Sequence, residues 1–215
     1  MNIYIDIETI PSGDKIDPAT LDQPKAMKKE ETIAKWREEE APKVAEELYR
    51  KRALKSMEGE IICICWAIDD GEVKSRLSLT GDSPGAYLLS VSHELKESIP
   101  QYELITWVGH NILTFDMPWI WRRAVKYDLH WLRNNIRLDY RGNIEDTLLL
   151  WRGADRQDYT SLDDLARWLG VGEPIGHGSE VYDLYLNGEY DKIIEHCKQD
   201  VNLTRKIYKK IKGEV

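Results

Sequence analysis

The first apolar segment of the chain alternates between hydrophobic and acidic positions. Ile5 and Ile7 fall on one face of an extended chain, whereas Asp6 and Glu8 fall on the opposite face. A period of two is typical of a β-strand that buries one face. The pattern therefore predicts a strand over residues 2–9 with two carboxylates on its other face.

Three further strands are predicted between residues 61 and 108. Residues 61–68 form an uninterrupted apolar run, which is typical of a strand covered on both faces. The sequence Asp69-Asp70-Gly71 favours a tight turn, and residues 73–79 then alternate, so strands two and three form a hairpin. Residues 104–108 predict a fourth strand.

Helices are predicted in the second half of the chain. Ser83 and Pro84 supply a capping hydroxyl and a proline at the first helical position, and this helix is expected to end near residue 99. The other helices are expected at about 116–127, 144–151, 161–169 and 189–212. Strands first, followed by strands interleaved with helices, indicate an α/β fold with a mixed sheet.

The length of 215 residues predicts a single domain, 1–215, with an insertion at 11–59. Residues 25–58 contain ten Lys or Arg and eight Asp or Glu, together with a short helical apolar stripe, so we expect a charged helical hairpin between strands one and two. Two interpretations stay open: a solvated, stabilising appendage or an arm that contacts substrate.

Charge and cysteine content exclude some classes of function. A net charge of −8 excludes a basic protein that coats a polyanion, but it does not exclude a nucleic-acid enzyme whose site holds divalent cations. Three cysteines give no disulfide framework, and Cys63 and Cys65 are expected to be small core residues. Acidic residues in the first apolar stretch argue against a signal peptide, and no run is long enough for a membrane span. We therefore expect a cytoplasmic protein with no membrane partner.

Asp6 and Glu8 form the first candidate site. Two carboxylates on one face of a strand repel each other unless they are solvated, protonated or share a cation, and oxygen ligands suit Mg²⁺ or Mn²⁺. The alternative is a half-exposed strand that has two acids by chance.

A second candidate site lies on the last predicted helix. Asp200 falls on the buried stripe of this helix, where an unpaired carboxylate is costly, and His196 is one turn earlier on the same face. A satisfied Asp–His pair in the core is the alternative.

Asp116 is the third candidate. It follows the fourth predicted strand at the start of a helix, which is where ligand clefts open in α/β sheets. The alternative is that Asp116 only caps the helix.

These residues lie in three segments that resemble a known family. The segments IYIDIETIP, VGHNILTFDMPWI and IIEHCKQDVNLT resemble, in order, the three motifs of the DnaQ-like, four-carboxylate (DEDD) 3′–5′ exonucleases, in particular the predicted exonucleases related to the proofreading domain of family-B DNA polymerases. The resemblance implies a ribonuclease H-like fold, with a mixed five-stranded sheet and helices on both faces.

The same resemblance implies an enzyme and its site. Asp6, Glu8, Asp116 and Asp200 would bind two Mg²⁺ or Mn²⁺ ions, with Asp6 bridging both, and the enzyme would release 5′-mononucleotides from 3′ ends, with single-stranded DNA as the expected substrate. The family pattern also suggests substrate contacts at Thr9, Asn111 and Phe115. The alternatives are an RNA 3′ exonuclease and an inactive module that binds nucleic acid or a polymerase. A polymerase partner acting in trans is also expected.

One position departs from the family pattern. The family has a tyrosine four residues before the last Asp or a histidine five residues before it, whereas here Glu195 is five before and His196 occupies the tyrosine position. We expect His196 to assist the attacking water, since imidazole titrates near neutrality. A packing role for His196 is the alternative, and His177 in the sequence GHGSE is a less favoured candidate for the base.

Overall fold

The computed structural model describes residues 1–79, 82–139, 142–176 and 178–214, and the described residues form one five-stranded sheet. The strands are β1 (Asn2–Pro11), β2 (Gly59–Ile68), β3 (Lys74–Leu77), β4 (Thr106–Gly109) and β5 (Ile144–Asp146). Their order is β3-β2-β1-β4-β5; β2 and β3 are antiparallel, whereas β1–β4 and β4–β5 are parallel. The predicted mixed five-stranded α/β fold is confirmed and is consistent with a ribonuclease H-like architecture.

The described part of the chain contains nine α-helices. They are α1 (Glu30–Glu39), α2 (Ala41–Arg50), α3 (Pro84–Ser98), α4 (Asp116–Lys126), α5 (His130–Asn135), α6 (Thr147–Arg152), α7 (Leu162–Leu169), α8 (Val181–Leu186) and α9 (Tyr190–Lys212). Short 3₁₀ turns occur at Pro18–Thr20, Lys51–Leu54 and Gly178–Glu180. None of the described helices has the length and apolar character needed to cross a bilayer.

The prediction of a helix over residues 144–151 is wrong for the first three residues. Ile144 and Asp146 pair in parallel with Trp107 and Gly109, so these residues form β5. The helix α6 begins only at Thr147, because the Asp146 carboxylate accepts a 3.0 Å hydrogen bond from the Leu148 amide and caps it. Two short helices, α5 and α8, were not predicted.

Alternate side chains of β1 pack on opposite faces of the sheet. Ile3, Ile5 and Ile7 pack into a large apolar cluster with residues of β2, α3 and α4. On the opposite face of β1, the Tyr4 ring makes an edge contact with Tyr208 of α9, with ring centroids 5.8 Å apart. Because side chains alternate along a strand, Asp6 and Glu8 share the α9 side of the sheet with Tyr4.

The chain divides into two compact units, one of residues 1–8 and 61–215 and the other of residues 9–60. The second unit contains α1 and α2, as expected for a charged helical insertion. It has a small core of its own, formed by Trp36, Ala41, Ala45 and Tyr49. Its two ends meet where the Ser12 amide donates a 3.1 Å hydrogen bond to the Glu58 carbonyl.

Candidate active site

The carboxyl ends of the parallel strands bring the acidic residues together. Tyr4 of β1 lies opposite Val108 of β4, and β4 ends one residue later. Asp6 and Glu8 therefore continue beyond the end of β4, at the edge of the sheet where ligand sites of α/β folds occur.

Asp116 is tied directly to β1. It is the first residue of α4, and its Oδ1 atom accepts a 3.1 Å hydrogen bond from the amide of Ile7, which lies between Asp6 and Glu8 in the chain. The Asp116 side chain is buried. This contact fixes the start of α4 against the acidic segment of the strand.

The helix α9 contributes His196 and Asp200, one turn apart. The His196 Nε2 atom lies 3.5 Å from Glu8 Oε1 and 3.8 Å from Asp200 Oδ2. Its other ring nitrogen, Nδ1, lies 2.7 Å from the carbonyl oxygen of Ile175. Nδ1 must donate its proton to this carbonyl, so Nε2 is the ring nitrogen that faces the carboxylates.

These side chains line one cleft of about 270 Å³. The described residues that line it are Asp6, Ile7, Glu8, His110, Asn111, Phe115, Asp116, Ser161, Leu162, Asp163, Gly178, His196 and Asp200. Seven of the eight site residues proposed from the sequence are in this set. The eighth, Thr9, belongs to the inserted unit, where its hydroxyl donates a 2.6 Å hydrogen bond to the Ala53 carbonyl. His177 lies outside the described residues.

Burial and mutual repulsion shape the electrostatics of the cleft. Burial, reinforced by the charges of the neighbouring carboxylates, raises the pKa of Asp6 and of Glu8 well above the ordinary values. Burial also raises the pKa of Asp116 to about 7 and the pKa of Asp200 to about 6. At neutral pH the group therefore retains protons or requires a cation to balance its charge.

The donor set fits a divalent cation. Single ligand atoms of Glu8, His196 and Asp200 lie within 4.8 Å of one another. Asp200 Oδ1 is buried, and no group among the described residues makes a hydrogen bond to it. A buried carboxylate oxygen without a donor, surrounded by other carboxylates, is suited to a hard cation such as Mg²⁺ or Mn²⁺.

His110 also lines the cleft, but both of its ring nitrogens are occupied. Nε2 lies 3.0 Å from the Thr160 carbonyl oxygen, to which it donates, and Nδ1 lies 2.9 Å from the Thr147 hydroxyl. Burial lowers the pKa of His110. Of the two described histidines in the cleft, only His196 therefore directs a nitrogen toward the acids.

Sequence reasoning missed Asp146, which organises the loop between β4 and α4. Its Oδ1 atom accepts a 2.9 Å hydrogen bond from the Asn111 amide, and its Oδ2 atom accepts a 3.1 Å bond from the Leu113 amide. Asn111 has a φ of +56°, a strained backbone conformation that the two hydrogen bonds hold in place. The available signal was an Asp directly before an apolar helical pattern, which is typical of a helix N-cap.

Asp163 at the start of α7 was missed as well. It lines the cleft, and its charge adds to the burial that raises the pKa of Asp200. The cleft therefore has a fifth carboxylate besides the four proposed from the sequence.

Comparison with known proteins gives a structural likeness only. No protein-family model and no curated protein sequence matches this chain. Among solved structures, the family B DNA polymerase from the hyperthermophilic archaeon Pyrobaculum calidifontis is similar, with a TM-score of 0.62 and 16% sequence identity over 98% of this chain. The match covers 24% of the polymerase chain, so this chain spans about a quarter of its length. At this identity, the likeness shows that the chain shares the fold of one part of that polymerase.

Proposed function

We propose that this protein is a metal-dependent 3′–5′ exonuclease that releases 5′-mononucleotides from the 3′ ends of single-stranded DNA. One observation carries the proposal: Asp6, Glu8, Asp116 and Asp200 come from three distant segments and line a single cleft. The likeness to part of a DNA polymerase supports a role on nucleic acid, including one beside a separate polymerase. The 3′–5′ direction of cleavage is proposed because the three segments resemble the motifs of the DEDD exonucleases.

The four carboxylates are proposed to hold two Mg²⁺ or Mn²⁺ ions. When bound, the ions supply positive charge at the scissile phosphate, lower the pKa of the attacking water and offset the charge of the leaving 3′ oxygen. The hydrogen bond from the Ile7 amide holds Asp116 beside β1, and burial keeps Glu8 and Asp200 in a poorly solvated setting. Such a site strengthens electrostatic stabilisation of the transition state.

His196 is proposed to accept a hydrogen bond or a proton from the attacking water. The Ile175 carbonyl fixes the Nδ1–H tautomer, and Nε2 faces Glu8 and Asp200 at 3.5 and 3.8 Å. These separations exceed direct charge-assisted hydrogen bonds of about 2.7–2.9 Å, so Nε2 keeps capacity for a water molecule.

Asn111 and Phe115 are proposed to contact the terminal nucleotide at the mouth of the cleft. Asn111 is exposed, and the Phe115 ring packs against Trp119 with centroids 5.6 Å apart. The Arg123 guanidinium lies over the Trp119 ring at 4.6 Å. A supported aromatic face next to a cation suits stacking of a nucleobase. Thr9 remains a proposed contact on the strength of the first motif alone.

The decisive experiment uses DNA and RNA oligonucleotides labelled at either end, incubated with Mg²⁺, Mn²⁺ or EDTA. We expect a ladder that shortens from the 3′ end with either metal and none with EDTA. Stronger cleavage of RNA would favour the RNA exonuclease, and binding without cleavage would favour the inactive module.

Matched variants test whether the cleft is responsible. Asp200→Asn and Asp116→Asn preserve side-chain shape and are expected to abolish cleavage. Asp191→Asn, at an exposed position in the first turn of the same helix α9, is expected to leave the rate unchanged. A folded Asp200→Asn protein with a near-normal rate would overturn the proposal.

A further inference from the structure

Three cysteines form a buried cluster between the sheet and α9. Cys63 and Cys65 are two positions apart on β2, so their side chains lie on the same face of the strand. Cys197 lies on α9, and its thiol donates to the Asp6 carbonyl at 3.6 Å. All three side chains are fully buried, and all are free thiols.

The sulfur atoms already have the spacing of a metal site. The Sγ atoms of Cys63 and Cys65 are 3.9 Å apart, and all three sulfurs lie within 4.8 Å of one another. With zinc–sulfur bonds of about 2.3 Å, tetrahedral or trigonal geometry places two thiolate sulfurs about 3.8–4.0 Å apart. Small side-chain adjustments would therefore bring the three sulfurs onto one cation.

The chemistry of the three thiols also suits a cation. A thiophilic divalent cation displaces the protons of the thiols that bind it, and its positive charge then compensates the buried thiolates.

We propose that Cys63, Cys65 and Cys197 form a binding site for a thiophilic divalent cation of the zinc class. The soft sulfur donors distinguish this site from the carboxylates, which suit Mg²⁺ or Mn²⁺. The bound cation would tie α9 to β2 and so support the helix that contains His196 and Asp200. Single ligand atoms of Asp6, Glu8 and Cys197 also lie within 4.8 Å of one another, so the cation would border the base of the cleft.

The test titrates the full chain with Cd²⁺, whose thiolate complexes absorb in the ultraviolet by charge transfer. Excess Mg²⁺ is present throughout to occupy the carboxylates. Because the sulfurs are buried, the titration is made on the native protein and again on protein refolded with Cd²⁺. We expect one Cd²⁺ per chain by native mass spectrometry, with a charge-transfer band that saturates at one equivalent. With Zn²⁺ at a hundredfold excess over its Kd, we expect Tm to rise by about 5–10 °C.

Variants identify the ligands. Cys63→Ala and Cys197→Ala should each lose the band and the Tm shift, whereas Asp116→Asn should keep both. If an alanine variant does not fold, X-ray absorption of the wild-type complex decides the matter, with three sulfur neighbours expected around Cd²⁺. The absence of a band on both native and refolded wild-type protein would overturn the proposal, as would a band retained in the folded Cys→Ala variants. The exonuclease proposal does not depend on either result.

Discussion

His196 donates a hydrogen bond from Nδ1 to the carbonyl oxygen of Ile175, 2.7 Å away. This bond decides which ring nitrogen faces the cleft, because a carbonyl can only accept. It also ties α9 to the segment that precedes Gly178, another residue of the cleft. The histidine is therefore held by main chain on one side and directed at two carboxylates on the other.

Replacing His196 should reduce the rate of cleavage. If Nε2 assists the attacking water, His196→Ala should lower kcat by about 10²–10⁴-fold, the usual effect of losing a positioned proton acceptor. The bond to Ile175 leaves Nε2 as the ring nitrogen that can accept, and the alanine variant has no acceptor at this position. Single-turnover rates at saturating metal measure the effect.

Two further variants separate this role from packing. His196→Tyr introduces the residue that the DEDD exonucleases resembled by the three segments have at this position, and it should recover part of the rate. His93→Ala, at an exposed histidine paired with Glu97, should behave as wild type. If His196→Ala kept more than about a third of the wild-type activity at saturating metal, the role of the ring would be structural.

The metal-free protein should lose stability as pH rises from about 4 to 7. The pKa values of Asp116 and Asp200 are raised to about 7 and about 6 in the folded state, above those of the unfolded chain. In this interval the folded state binds more protons than the unfolded state, so the free energy of unfolding falls with pH. At about 1.4 kcal/mol per pKa unit, the loss is on the order of several kcal/mol. Urea unfolding in EDTA at a series of pH values measures it.

Metal binding should remove this dependence of the free energy of unfolding on pH, and mutation of one carboxylate should reduce it. Saturating Mg²⁺ or Mn²⁺ compensates the ionised carboxylates, so the free energy of unfolding should become nearly independent of pH. Asp200→Asn should flatten the metal-free slope and raise Tm at pH 7, whereas Asp191→Asn should do neither. A slope of the opposite sign would contradict the assigned charge cluster.

Asp146→Asn should loosen the loop that leads to Asp116. The amide places a donor where the carboxylate accepted from the Asn111 or Leu113 amide, and a buried unsatisfied group costs about 1–3 kcal/mol. We expect the free energy of unfolding to fall by this amount and the amides of Asn111 and Leu113 to exchange faster with deuterium. Asp155→Asn is the control, since Asp155 accepts from the Gln157 amide in an exposed turn. Unchanged exchange at both loop amides in Asp146→Asn would refute the positioning role.

The inserted unit should be dispensable for folding. The Ser12 amide meets the Glu58 carbonyl at 3.1 Å, so a short Gly/Ser linker can replace residues 13–57. Because this unit has its own small core, the shortened protein should fold and keep metal binding, with Tm within a few degrees of wild type. Any loss should appear as a raised KM for long oligonucleotides while kcat is maintained. An insoluble or molten product would show that the segment belongs to the main core.

Local sequence patterns predicted most of the fold. The alternation in β1 and the apolar run of β2 were sufficient to place two central strands, and the capped start of α3 fell at Pro84 as expected. The strand β5 has only three residues, two of them acidic, so it produces no period of its own. Its pairing with β4, some forty positions earlier, decides its conformation.

In the site too, local sequence motifs could be recognised, whereas contacts between distant segments could not. Asp6, Glu8, Asp116 and Asp200 could be proposed from the sequence because each lies in one of three ordered motifs. Asp146 was missed because its importance lies in hydrogen bonds to the amides of Asn111 and Leu113, and side-chain patterns do not show where main-chain donors point. The meeting of Cys197 with Cys63 and Cys65 likewise depends on the packing of α9 on the sheet.

The pairing of β1 with β4 joins Asn2 to Thr106, and the contact of Cys197 with Asp6 spans 191 positions. During translation, the acidic segment of β1 leaves the ribosome long before α9 is made. Until residue 200 has emerged and the helix has docked, the nascent chain lacks Asp200, the last of the four carboxylates proposed to hold the metal ions. Contacts of such long range also form late in folding. An enzyme of the proposed activity would therefore remain inactive toward surrounding nucleic acid while it is being synthesised.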